Sequence, residues 1–193
     1  MNRQSALRYK TLVFFLISFL SLAVAHSSSA QDFTVKPLGD YGNVTVMEVT
    51  GNYSAYTPDG SVNSVAREAI ATEFFKTHKD EYDFLVIFSN FDYQMPDDGN
   101  AKGFYLGVKN DTQGIGSELF DNTALFGSSG RLQGTVDMGN VAKFVTDPLD
   151  SMFENTLYML SHEVMHRWGA YAKFKDSSGN LSHSLIGKDG MHW

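Results

Sequence analysis

The chain has 193 residues, with 15 basic and 22 acidic side chains, a formal net charge of −7 and no cysteine. Without cysteine there are neither disulfides nor thiolate metal ligands, so the core must hold by packing alone. The first 30 residues carry three of the basic side chains and none of the acids. The remainder stands at net −10, which argues against nucleic acid or an anionic membrane surface as a partner.

Residues 1–30 read as a signal peptide. Arg3, Arg8 and Lys10 form a positive start, and residues 11–25 (TLVFFLISFLSLAVA) form an apolar run too short for a comfortable membrane span. Ser28-Ser29-Ala30 supplies small residues for cleavage before Gln31, with a cut after Ala25 as the alternative. An uncleaved anchor helix is the competing reading. The mature protein is then expected to be exported, secreted or periplasmic, with no stable membrane association after cleavage. Residues 31–193 are enough for one domain with its own core.

Residues 43–50 (NVTVMEVT) predict a first strand, being rich in β-branched side chains. Pro58-Asp59-Gly60 predicts a turn within residues 56–63. Val65, Ala69, Ile70 and Phe74 recur at helical spacing within residues 64–78. The continuous apolar run at 82–89 (YDFLVIFS) suits a central buried strand. Residues 102–109 alternate Phe104, Leu106 and Val108, as a half-buried strand does. A glycine-rich loop follows, and Gly114-Ile115-Gly116 is too short a signal for phosphate binding. Asp92, Asp97 and Asp98 lack the regular spacing of a calcium loop. Residues 131–138 alternate again.

The last predicted helix carries the chemistry. Asp147-Pro148 predicts an N-cap with proline at the first helical position, and no proline interrupts the chain to Phe174. Phe153, Leu157, Leu160, Val164, Trp168 and Tyr171 form one apolar stripe expected to face the core. His162 and His166 fall roughly opposite that stripe, toward a cleft. Two histidines four apart on a helix stand one turn apart on one face, so both imidazoles can reach a single ion. Glu163, between them in His162-Glu163-Val164-Met165-His166, is positioned to take a proton from a water at that ion. Gly169, near the histidine side, either leaves room around the metal or marks where the helix frays.

Zinc needs a third protein ligand. Four of the six histidines lie at or beyond position 162, namely His162, His166, His183 and His192. His192 is preferred because Gly190-Met191-His192-Trp193 sets it after a glycine and beside a bulky aromatic. His183, Asp176 and Asp189 are the alternatives, since zinc also accepts carboxylates.

Residues 162–170 (HEVMHRWGA) resemble the active-site helix of the zincin metallopeptidases, and through Trp193 the chain is similar to uncharacterised bacterial secreted members. The resemblance implies an α+β, zincin-like fold in which a mixed β-sheet packs on a long active-site helix. Residues 131–138, the strand just before that helix, are then expected to be the sheet's edge, either the rim that an extended peptide substrate pairs with or an ordinary edge strand. The resemblance also implies zinc on His162 and His166, with Glu163 as general base. The pattern H-E-x-x-H-x-x-G-x-x-H is matched through Gly169 but has Ala172 at the third histidine. No glutamate follows Glu163 to serve as a downstream ligand. The expected activity is hydrolysis of peptide bonds in a peptide or protein substrate, with Arg167 and Tyr171 weighed as oxyanion-stabilising residues. The alternative is a non-catalytic exported binding or surface-interaction domain with a structural or vestigial zinc site. Zincins usually close the cleft with a lower subdomain, and this chain stops one residue after His192. It therefore reads either as a compact or C-terminally truncated domain or as one with an open site.

Overall fold

A computed structural model describes residues 33–96, 101–115, 117–168 and 174–182. Among them are two α-helices, α1 (Val65–Phe75) and α2 (Phe153–Met165), and nine strands. The strands are β1 (Thr34–Tyr41), β2 (Val44–Thr50), β3 (Phe84–Ser89), β4 (Phe104–Gly107), β5 (Lys109–Asn110), β6 (Phe120–Asp121), β7 (Gly134–Asn140), β8 (Phe174–Lys175) and β9 (Leu181–Ser182). β1 and β2 form an antiparallel hairpin whose register runs from Thr34 opposite Thr50 to Tyr41 opposite Val44, with a bulge at Leu38. The largest sheet has the order β3-β7-β4, with β3 parallel and β4 antiparallel to β7. No helix among the described residues is long and apolar enough to cross a membrane.

The expected zincin-like architecture, a mixed sheet packed on a long active-site helix, is overturned. The described residues form small sheets of two or three strands, and the two helices are short, at 11 and 13 residues. Both ends of α2 have a local cause. The Asp147 carboxylate accepts from Leu149 N at 2.9 Å and the Asp150 carboxylate from Met152 N at 2.8 Å. These side chains offer the backbone a turn in place of a helical ladder, so regular helix begins at Phe153, well after Pro148. At the far end the N–H groups of His166, Arg167 and Trp168 bond to carbonyls three residues back. The tightened turn closes the helix at Met165, and Phe174 belongs to β8.

The core lies where α1 meets the sheet. Ala71, Val108, Phe126 and Leu132 are buried together, with Phe75, Leu85 and Leu106 packed against them. α1 turns Ala66, Arg67 and Ala71 inward and leaves Val65 exposed, so its buried face is rotated from the expected one. The central strand is β7, whose residues are nearly all buried on both faces. That corrects the expectation for residues 131–138, which are neither an edge nor a substrate rim. The run at 82–89 forms β3, which pairs only with β7 in this sheet rather than lying at its centre.

The alternation of β7 was misleading because Asp137 is buried with a partner. Arg67 and Asp137 are 0% and 1% exposed and form an ion pair at 3.1 Å. The Tyr53 and Tyr93 hydroxyls also donate to the Asp137 carboxylate, and the Arg67 guanidinium lies 4.2 Å from the Tyr53 ring centroid. Burial, then the nearby Asp137 charge, hold both phenols far above their ordinary pKa, so they stay protonated donors. Arg67 also donates to the carbonyls of Ser54 and Asn63. A buried charge pair persists only when its remaining donors and acceptors are met in this way.

Candidate metal centre

α2 brings His162, Glu163 and His166 together. One potential ligand atom from each lies within 4.8 Å of the others, and the imidazole centroids are 4.8 Å apart with the rings nearly perpendicular. The Glu163 Oε2 atom is 3.9 Å from His166 Nε2. Glu163 is the one residue of α2 that is buried, and desolvation pushes its carboxyl up to about 7. The two imidazole nitrogens form a donor pair that suits zinc, and the Glu163 carboxylate lies beside them.

The site opens onto a cleft of about 440 Å³ between α2 and the start of β4. Tyr158, Met159, His162, Glu163 and His166 line one wall; Gly103, Phe104 and Tyr105 line the other. Among the described residues, the edge strand at the cleft is therefore β4, paired with β7. Tyr105 folds across the sheet and donates from its hydroxyl to the Gln133 carbonyl at 2.9 Å. Only a glycine fits beneath it: a Cβ on Gly134 would stand 2.2 Å from the ring.

Gly103 sets how closely α2 approaches the sheet. A Cβ there would lie 3.1 Å from both the Asp137 carbonyl and Glu163 Cγ. Gly103→Val is accordingly expected to push Glu163 out of place. It should weaken metal binding at His162 and His166, and lower stability by about 1–3 kcal/mol through overpacking. Zinc titration and urea unfolding of the variant check both effects. Unchanged zinc affinity and stability would mean that α2 is not held against β4.

The chain matches no family model, no curated protein and no solved structure. The zincin resemblance thus rests on the motif residues, and the site stands on its own geometry.

His162, Glu163 and His166 converge as the spacing predicts. His192, His183 and Asp189 lie outside the described residues, as do Gly169, Tyr171, Ala172, Asp97 and Asp98 and the whole of 1–30. Asp176 is described and is not part of the group. Its carboxylate instead accepts from Ser178 N and Asn180 N, closing the β8–β9 hairpin, and these backbone bonds hold its pKa below the usual range. Asp92 is engaged by Lys143 at 2.7 Å. Arg167 is also corrected as an oxyanion-stabilising residue, because its guanidinium is buried and bonded to Gln133, Asn110 and Asp111. The stripe expected to pack on the core is partly open, with Leu157 and Trp168 exposed.

Sequence reasoning missed Gly103, Tyr105, Tyr158 and Met159. Tyr158 and Met159 were legible in principle, since they precede His162 and Glu163 by four residues each and so share their side of the helix.

Proposed function

We propose that the protein is an exported, zinc-dependent peptidase. The observation that carries the reading is the gathering of His162, Glu163 and His166 within 4.8 Å beside a cleft. His162 and His166 offer neutral imidazole nitrogens, and His192 is the proposed third ligand. When bound, zinc supplies Lewis acidity, bringing a water toward neutral pKa and polarising the scissile carbonyl. Glu163 takes the proton of the attacking water and passes it to the leaving amine. The rest of the cleft receives the substrate. An extended chain laid along the cleft can run beside the edge strand β4, while Phe104, Met159 and Tyr158 receive an apolar side chain. The charged leader at 1–30 supports export.

Incubation of the zinc-loaded mature chain with an unfolded protein tests this reading. Cleavage that chelator abolishes and zinc restores is expected, with large apolar residues enriched next to the cut bonds. A zinc-loaded parent that cleaves nothing across a broad peptide library would contradict the peptidase reading.

One observation favours a second reading, a zinc-bearing interaction domain without catalysis. Leu149, Met152, Leu157 and Trp168 are all exposed along and beside α2, a run of apolar surface of the kind that marks partner contacts. The same incubation separates the two readings, since that domain would bind zinc and cleave nothing.

A further inference from the structure

We infer that Arg167 is a positioning residue for the metal centre, fixing His166 and Glu163 before any ion arrives. The inference rests on the zinc reading of His162, Glu163 and His166. His166 lies one residue beyond the last regular turn of α2. The turn that carries it is held by bonds from His166 N to the Glu163 carbonyl at 3.2 Å and from Arg167 N to the Val164 carbonyl at 3.1 Å. Helix ends of this kind fray unless something outside the helix secures them.

The Arg167 side chain, 3% exposed, supplies that hold. Its Nε and one terminal nitrogen both donate to Gln133 Oε1, at 3.0 and 2.8 Å. The same terminal nitrogen reaches Asp111 at 2.8 Å, and the other donates to Asn110 Oδ1 at 3.0 Å. The acceptors are themselves secured. The Asn110 amide donates to the Glu118 carbonyl at 2.7 Å, and the Gln133 amide to the Arg131 carbonyl at 3.1 Å. On the other side of the turn, Trp168 packs edge-on against Phe84 of β3 with centroids 5.9 Å apart. The exit of α2 is therefore tied to β3, β5 and the entry of β7.

The placement of these bonds assigns them a role in the site. His166 stands between the end of the helix and the anchored guanidinium, so its backbone angles cannot drift without breaking bonds to the sheet. Its own N–H reaches back to the Glu163 carbonyl, which joins the proposed base to the same anchor. Residues that orient metal ligands from behind typically change affinity by about 10- to 100-fold when replaced.

The test is zinc titration of the metal-free mature chain, run well below the unfolding temperature. Arg167→Lys keeps the positive charge, but one ammonium cannot satisfy Gln133, Asn110 and Asp111 together. It is expected to weaken zinc binding by about 10- to 100-fold while far-UV dichroism stays that of the parent. Gln133→Met removes the acceptor of two of the four contacts and should act in the same direction. It carries the test if Arg167→Lys does not fold. Cobalt(II) put in place of zinc should show an altered visible spectrum in either variant, a readout that a purely structural role would leave unchanged. Folded variants that bind zinc as tightly as the parent, with the parent's cobalt spectrum, would overturn the inference. A parent that binds no zinc at all would instead overturn the metal-site reading, and the inference with it.

Discussion

Replacing Glu163 by glutamine is expected to lower peptide hydrolysis by about 10² or more while zinc content stays that of the parent. The two side chains are nearly equal in size, so the fit against Gly103 is kept, but the amide cannot take a proton. The substitution should also show itself without zinc. Burial raises the Glu163 carboxyl from 4.5 to about 7 in the folded chain. Folding is therefore undisturbed by this group well below pH 4.5, where it is protonated in both states, and loses stability as pH rises from 4.5 to about 7. Metal-free Glu163→Gln should then be more stable than the parent at pH 8 and no more stable at pH 4. Urea unfolding at the two pH values, together with a hydrolysis assay on zinc-loaded protein, checks both arms. Retention of more than about a tenth of the parent's hydrolysis would remove Glu163 as the base.

The largest stability effect is expected at Asp137. Asp137→Ala strands the Arg67 guanidinium, 0% exposed, with only carbonyls and aromatic rings around it. Leaving one partner of a buried pair uncompensated costs about 3–5 kcal/mol. The Tyr53 and Tyr93 hydroxyls lose their shared acceptor as well. Replacing both charges, as Arg67→Met with Asp137→Leu, should recover much of the loss, because the desolvated ion disappears with its partner. Denaturant unfolding of the single and double variants is the measurement. A cost below about 1 kcal/mol for Asp137→Ala would mean that water reaches Arg67.

What the sequence displayed was local. β2, β3, β4 and α1 follow from β-branched runs, alternation and helical spacing, and the convergence of His162, Glu163 and His166 follows from one turn of helix. β1 escaped because Pro37, Gly39 and Asp40 read as breakers. A two-stranded hairpin tolerates them, and the bulge at Leu38 absorbs the irregularity. β7 reads as an edge because it is the strand before the motif helix, and the alternation of Thr135 and Asp137 with Val136 and Met138 reads as one solvated face. The partner that permits Asp137 to be buried lies 70 residues away in α1. α2 was drawn too long because an Asp-Pro pair reads as a helix start, whereas Asp147 and Asp150 spend their carboxylates on turns. Arg167 suggests an oxyanion-stabilising residue from the sequence only because it follows the motif histidine. Its acceptors at Asn110 and Gln133 lie 57 and 34 residues away, beyond the reach of any periodicity.

The central claim is that His162 and His166 hold a zinc ion. Elemental analysis of the mature chain, purified without metal-affinity steps and then supplied with zinc and dialysed, tests it most directly. The account predicts about one zinc per chain, lost in His162→Ala. Less than about a tenth of a zinc per chain, or a full complement that survives His162→Ala, would contradict it.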